Sequence, residues 1–125
     1  MFLIFANTTP GFMDIFCKII KGELPSKPIL ETKDWIAIHD INPQAPIHVL
    51  IIPKQHLLDL QATDATHQQL LGELLLAAPA VAKKLNLGQT GYRLIINQGS
   101  DASQLVPHLH IHLLGGKKLG AKLVN

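Results

Sequence analysis

Apolar residues recur along this chain at two spacings, and the switches between them mark out the elements. Ile15, Phe16, Ile19 and Ile20 share one face of a short helix, with Asp14 as its N-cap and Gly22 and Pro25 ending it. Ile29 to Glu31 and Trp35 to His39 read as two short strands around a polar Lys33-Asp34 turn. The prolines of Asn42-Pro43-Gln44-Ala45-Pro46 make that stretch a loop. Ile47 to Ile52 is a β-branched apolar run, a buried strand that Pro53 ends. A long helix follows, capped by Thr63 or Asp64. Leu70, Leu74, Val81 and Leu85 form its apolar stripe, and Leu71, Leu75, Ala78 and Ala82 broaden it. Pro79 falls inside that stripe and predicts a kink or a break. Tyr92 to Asn97 then reads as a strand, Gln98 to Leu105 as a polar loop, and Val106 to Leu114 as a final strand closed by Gly115-Gly116. This mixed order predicts an α+β fold.

Met1 to Phe12 stands outside the pattern. It begins apolar but lacks the basic n-region and small-residue cleavage site of a secretory signal, so residues 1–12 read as an N-terminal extension. Residues 13–125 form a single domain, and a start of translation at Met13 would fit the same pattern.

Composition narrows the function classes. Of 125 residues 47% are apolar and 16% charged, which excludes a disordered chain. No apolar stretch approaches the roughly 18 residues of a membrane span. The single cysteine, Cys17, excludes an intrachain disulfide and a zinc site built on cysteine pairs, and it points to a reducing, cytoplasmic setting. A net charge of +2 is too mild to argue for nucleic acid. Seven histidines are the unusual count.

Three of them alternate in Pro107-His108-Leu109-His110-Ile111-His112-Leu113-Leu114. On a strand, His108, His110 and His112 line one side while Leu109, Ile111 and Leu113 point into the core. Two chemistries are open to such a row. One is a metal site using two or three of the nitrogens, although no Asp or Glu lies within six residues of the triplet. The other is an anion site, in which imidazoles donate to phosphate, relay protons or attack phosphorus. Asn97, Gly99, Ser100, Ser103 and Gln104 favour the anion, because they supply neutral donors of the kind that cradle an oxyanion.

The run from Val106 to Leu114 resembles the signature of the histidine triad superfamily, and the chain is most similar to its Hint branch of nucleotide-binding phosphoramidases. Four further stretches carry the resemblance: Asp14 to Ile20 (DIFCKII), His39 to His48 (HDINPQAPIH), Gly91 to Ile95 (GYRLI) and Leu114-Gly115-Gly116. Together they span residues 13 to 120 in collinear order. The resemblance implies an antiparallel sheet of about five strands with one long helix and a short N-terminal helix. It assigns His110 as the nucleophile toward the α-phosphorus of a purine nucleoside phosphoramidate or aminoacyl-adenylate. His112 is then the phosphate donor, and His108 and His48 supply a proton network near the leaving group. Asp40 takes the ribose hydroxyls, Ile15, Phe16, Ile19, Ile38, Ile41 and Leu50 form the base pocket, and Asn97, Ser103 and Gln104 face the phosphate.

The resemblance further implies an AMP-type substrate, a homodimer built on the long helix and a sheet strand, and no metal or other cofactor. His39 is expected on the opposite strand face from Asp40, with His56 and His67 on the surface without a role. Two departures stand out. Ala102-Ser103-Gln104 replaces a Gly-Gly-Gln turn, and Leu105 replaces a polar residue. Loss of a donor there motivates the alternative of a nucleotide-binding module with little turnover.

Overall fold

In the computed structural model, which describes residues 14–121, the elements follow the order α1 (Ile15–Ile20), β1 (Leu30–Glu31), β2 (Trp35–His39), β3 (Ile47–Pro53), α2 (Gln68–Lys84), β4 (Arg93–Ile95) and β5 (Ile111–Gly115). The N-terminal extension lies outside the described residues. The five strands form one antiparallel sheet in the order β1-β2-β3-β5-β4. The α+β expectation holds, with five strands, one long helix and one short one.

Strand alternation sorts the side chains onto two faces. Trp35, Ala37, Val49, Ile51, Ile111 and Leu113 pack against Leu74, Ala77, Ala78, Val81 and Ala82 of α2. The opposite side chains, Ile36, Ile38, Leu50 and Ile52, close around Phe16 of α1. The sheet is thus covered by α2 on one face and by α1 on the other. That second face is where the histidines gather.

Local chemistry sets the helix ends. Asp14 caps α1, its Oδ1 accepting from the Cys17 N–H at 2.8 Å. Asp64, one of the two expected caps, starts a 3₁₀ turn at Ala65–His67 that runs into α2, with the His67 ring closing a capping box.

Three expectations are corrected. Pro79 does not break α2, which runs continuously from Gln68 to Lys84. The hydrogen bond it forfeits belongs to Leu75, which is 55% exposed, so the carbonyl concerned lies on the watered side of the helix. Pro53 does not stop β3 but is its last residue, paired with Trp35, where its missing N–H costs the ladder nothing further. The strands near the site are also shorter than the periodicity suggests. β4 spans Arg93–Ile95 rather than Tyr92 to Asn97. β5 begins at Ile111, so of the three alternating histidines only His112 stands on a strand. Strand length here follows the partners: β5 has paired neighbours only from Ile111 onward.

Candidate active site

The register between β3 and β5 pairs Leu50 with His112 and His48 with Leu114, on the face opposite α2. From there His48 Nε2 reaches His112 Nδ1 at 2.9 Å. The loop before β3 decides which nitrogens carry protons. The Gln44 N–H donates to His48 Nδ1 at 3.0 Å, so in neutral His48 the ring proton sits on Nε2. That proton is directed at His112 Nδ1, with Asp40 Oδ2 as a second acceptor at 3.4 Å from Nε2. His112 Nδ1 is therefore an acceptor, and the single N–H of the neutral ring is on Nε2. Burial first, and then the neighbouring His110 and His48, push the His112 pKa down to about 4.

His110 is held in the complementary state. Its Nδ1–H donates to the backbone carbonyl of His108 at 2.7 Å, which leaves Nε2 with an unprotonated lone pair. Burial lowers its pKa below the usual histidine range, keeping the ring neutral. Phe16 stands edge-on to the ring with centroids 5.0 Å apart, and His112 is 4.9 Å away on another side. The ring orientation is thus set by one hydrogen bond and two aromatic neighbours.

Both rings open onto a cavity of about 280 Å³. All six residues expected in the apolar pocket, Ile15, Phe16, Ile19, Ile38, Ile41 and Leu50, line it, as do Asp40, Asn97, Ser103 and Gln104. Ile41 is 96% exposed and forms the rim, whereas Phe16, Ile38 and Leu50 are wall and core at once. The Asp40 carboxylate is anchored by the Asn42 N–H at 2.8 Å. Gln104 is spent on the loop itself: its Oε1 accepts from Gly99 N–H at 2.9 Å, and its Nε2 donates to the carbonyls of Leu58 and Val106. Among the described residues no side-chain hydrogen bond occupies Asn97. Ser103 stands in the left-handed region at φ 58°, which accounts for the glycine that the resemblance leads one to expect there. Leu105, 83% exposed, and Val106 also line the cavity, as does His39, which was expected on the strand face opposite Asp40.

The expected place of His108 near a leaving group is corrected. His108 is fully buried and does not line the cavity. Its Nε2–H donates to the Pro53 carbonyl at 2.9 Å, and its Nδ1 lies 3.2 Å from Asp14 Oδ2. It serves the site through its backbone carbonyl, which orients His110. His48 is also buried, and it reaches the cavity only through His112. His56 is exposed, as expected, and its Nδ1 lies 3.1 Å from Asp14 Oδ2 and 3.2 Å from His108 Nδ1. Sequence spacing carried no signal for that contact, since Asp14, His56 and His108 belong to three separate segments.

Two groups of side chains have the donor types for a metal: Asp40 with His48 and His112, and Asp14 with Cys17, His56 and His108. In the first, the 2.9 Å between the two nitrogens is a hydrogen-bond distance that the His48 proton fills.

The five-stranded antiparallel sheet thus carries, on the face opposite α2, an oriented histidine that opens onto an apolar cavity. The family model of the HIT domain matches residues 21–119, and the chain belongs to that family. It is 50% identical to a HIT family hydrolase from Clostridium thermocellum, covering 89% of this chain and 96% of that one, with a TM-score of 0.86. The histidine triad nucleotide-binding protein from Candida albicans is 35% identical, with 90% and 87% covered and a TM-score of 0.74. The 14 kDa zinc-binding protein of Zea mays is 48% identical over 84% of this chain and 83% of its own length.

Proposed function

We propose that this protein hydrolyses the P–N bond of purine nucleoside phosphoramidates, and the related bond of aminoacyl-adenylates, through a nucleotidyl-histidine on His110. The observation that carries the reading is the His110 tautomer: Nδ1–H is tied to the His108 carbonyl, so the lone pair of Nε2 is the nucleophile. Nε2 attacks the α-phosphorus and the P–N bond breaks, the departing amine taking up a proton from solvent; with an aminoacyl-adenylate the P–O bond breaks and the amino acid leaves as its carboxylate. Water then cleaves the N–P bond of the adduct, releasing the nucleoside monophosphate and restoring neutral His110. His112 donates its Nε2–H to the phosphate as charge builds there. His48 holds His112 in that tautomer, and Asp40 accepts from the ribose hydroxyls. The purine lies between Phe16, Ile19 and Ile38. The nucleotide-binding title of the Candida albicans relative supports the substrate class.

The same reading includes a homodimer. β4 is an edge strand, and beside it Ile95 and Ile96 are part-exposed while Leu75 and Leu76 of α2 are 55% and 71% exposed. A two-fold contact through α2 and β4 would cover them.

The test is single-turnover labelling with an adenosine phosphoramidate, read by intact mass and peptide mapping. The expected result is an AMP adduct on His110 that disappears in His110→Ala. AMP binding without any adduct or turnover would replace this reading with a nucleotide-binding module.

A further inference from the structure

A single exposed leucine on an open surface needs no explanation, but Leu105 is not on an open surface. It lines the cavity onto which His110 and His112 open, and its side chain is 83% exposed there. The backbone on both sides of it is held. Before it, the Gln104 N–H donates to the Gly99 carbonyl at 3.1 Å, and Gln104 Oε1 accepts from the Gly99 N–H at 2.9 Å. After it, the Val106 carbonyl accepts from Gln104 Nε2 at 3.2 Å and from the His108 N–H at 2.8 Å. The Val106 side chain packs onto the cluster around Phe16, whereas Leu105 stays outside that cluster. An apolar side chain is thus presented at the cavity mouth from a fixed backbone, where it gains nothing from the folded chain itself.

The position of Leu105 indicates which part of a substrate would cover it. At about 280 Å³ the cavity is at the small end of ligand pockets. In the reading proposed above, the purine lies between Phe16, Ile19 and Ile38, the ribose meets Asp40, and the phosphate faces the two histidines. The amine on phosphorus then extends toward the mouth. Leu105 belongs to the same segment as His110 and His112, so it stands on the side from which the reacting atoms are approached. Among the described residues no Lys, Arg or Glu lines the cavity, and Asp40, its one carboxylate lining residue, is anchored by the Asn42 N–H. A charged leaving group finds no counter-charge at that mouth. Leucine, in place of the polar residue that the resemblance leads one to expect, offers no donor or acceptor to a polar one either. An apolar leaving group, in contrast, removes the Leu105 isobutyl group from water.

We propose that Leu105 is a specificity-determining residue, an apolar shelf at the cavity mouth that receives the leaving group and selects phosphoramidates of uncharged, apolar amines. The inference rests on the nucleotide reading and deepens it. As the bond from His110 Nε2 to phosphorus forms, the P–N bond breaks, and the amine departs across Leu105 with a proton taken from solvent. The contact is present before and during that step, so it acts chiefly through KM. At an open mouth its effect is about fivefold, below the tenfold or more that an enclosed apolar pocket gives for a methylene.

The experiment compares adenosine 5′-phosphoramidates of 2-phenylethylamine and of 2-methoxyethylamine on the full chain, Leu105→Ser and Leu105→Phe. Reading each variant against wild type on the same substrate cancels the intrinsic reactivity of the two amines. Leu105→Ser should lose at least about fivefold more kcat/KM on the phenylethyl substrate than on the methoxyethyl one, mainly in KM, and Leu105→Phe should keep the wild-type preference. Losses on the two substrates that agree within about twofold overturn the proposal, since Leu105 would then only shape the loop. An equal fall in affinity for AMP, which carries no leaving group, overturns it too and places Leu105 in the nucleotide pocket. Absence of a His110 adduct with either substrate is a different failure: it overturns the nucleotide reading and this inference with it.

Discussion

Replacing His48 with leucine tests whether the His112 tautomer is set by the relay that starts at Gln44. Leucine has nearly the volume of the buried imidazole, so no cavity opens and the loss is polar. Two hydrogen bonds disappear, from Gln44 N–H at 3.0 Å and to His112 Nδ1 at 2.9 Å. Gln44 is on an exposed turn, so its N–H is rehydrated, and His112 is half-buried. At about 1 kcal/mol for each bond, stability falls by about 2 kcal/mol, which a domain of ordinary stability survives. The chemical effect is larger than the structural one. Freed from its partner, His112 distributes its proton over both nitrogens and loses its aim. A donor worth about 1–3 kcal/mol in the transition state corresponds to a roughly 5- to 150-fold slower adenylation of His110. The substrate KM should change little, because the lost interaction belongs to developing charge. Rapid-quench single turnover with the adenosine phosphoramidate measures the rate, and urea denaturation measures the stability. His48→Gln, whose amide still donates, should recover part of the rate. A folded His48→Leu protein that adenylates within about threefold of wild type would refute the relay.

Two further outcomes follow from other parts of the molecule. His112 in the folded state titrates at about 4, against about 6.5 in the unfolded chain, and His110 and His56 are lowered too, in each case chiefly by burial. The unfolded chain therefore binds more protons below pH 6.5. The stabilisation is full above that pH and is lost as pH falls toward 4. Urea midpoints should drop between pH 7 and pH 5, and an unchanged midpoint would contradict the buried neutral rings. Ser103→Gly relieves a left-handed residue costing about 1–2 kcal/mol while adding about 0.5–1 kcal/mol of unfolded-chain entropy, for a net gain of about 0.5 kcal/mol. A calorimetric Tm should rise by about 2 °C, and a lower Tm would show that the Ser103 side chain contributes more than its backbone costs.

The elements with strong local signals are legible in the chain itself. The Asp14 cap needs only a carboxylate three residues before an amide, and the two strands at Ile29 to His39 need only alternation around a turn. Leu109, Ile111 and Leu113 enter the core as their spacing demands, because a period of two survives in extended backbone whether or not a partner strand is present. Pro79 and Pro53 mislead for a common reason. Proline removes one hydrogen bond, and whether that breaks an element depends on what stands at the other end of it. For Pro79 it is an exposed turn of helix, and for Pro53 the last position of a strand.

By itself the sequence determined the α+β order and the Asp14 cap of α1, which depend on residues close together in the chain. What only the tertiary structure decided is how the three alternating histidines divide. The β3–β5 register pairs His112 with His48, a backbone carbonyl leaves His110 with its lone pair, and the fold carries His108 away to Asp14, Cys17 and His56. Proton positions are set by contacts of a few ångströms between segments up to 94 residues apart, and no periodicity along the chain encodes such distances.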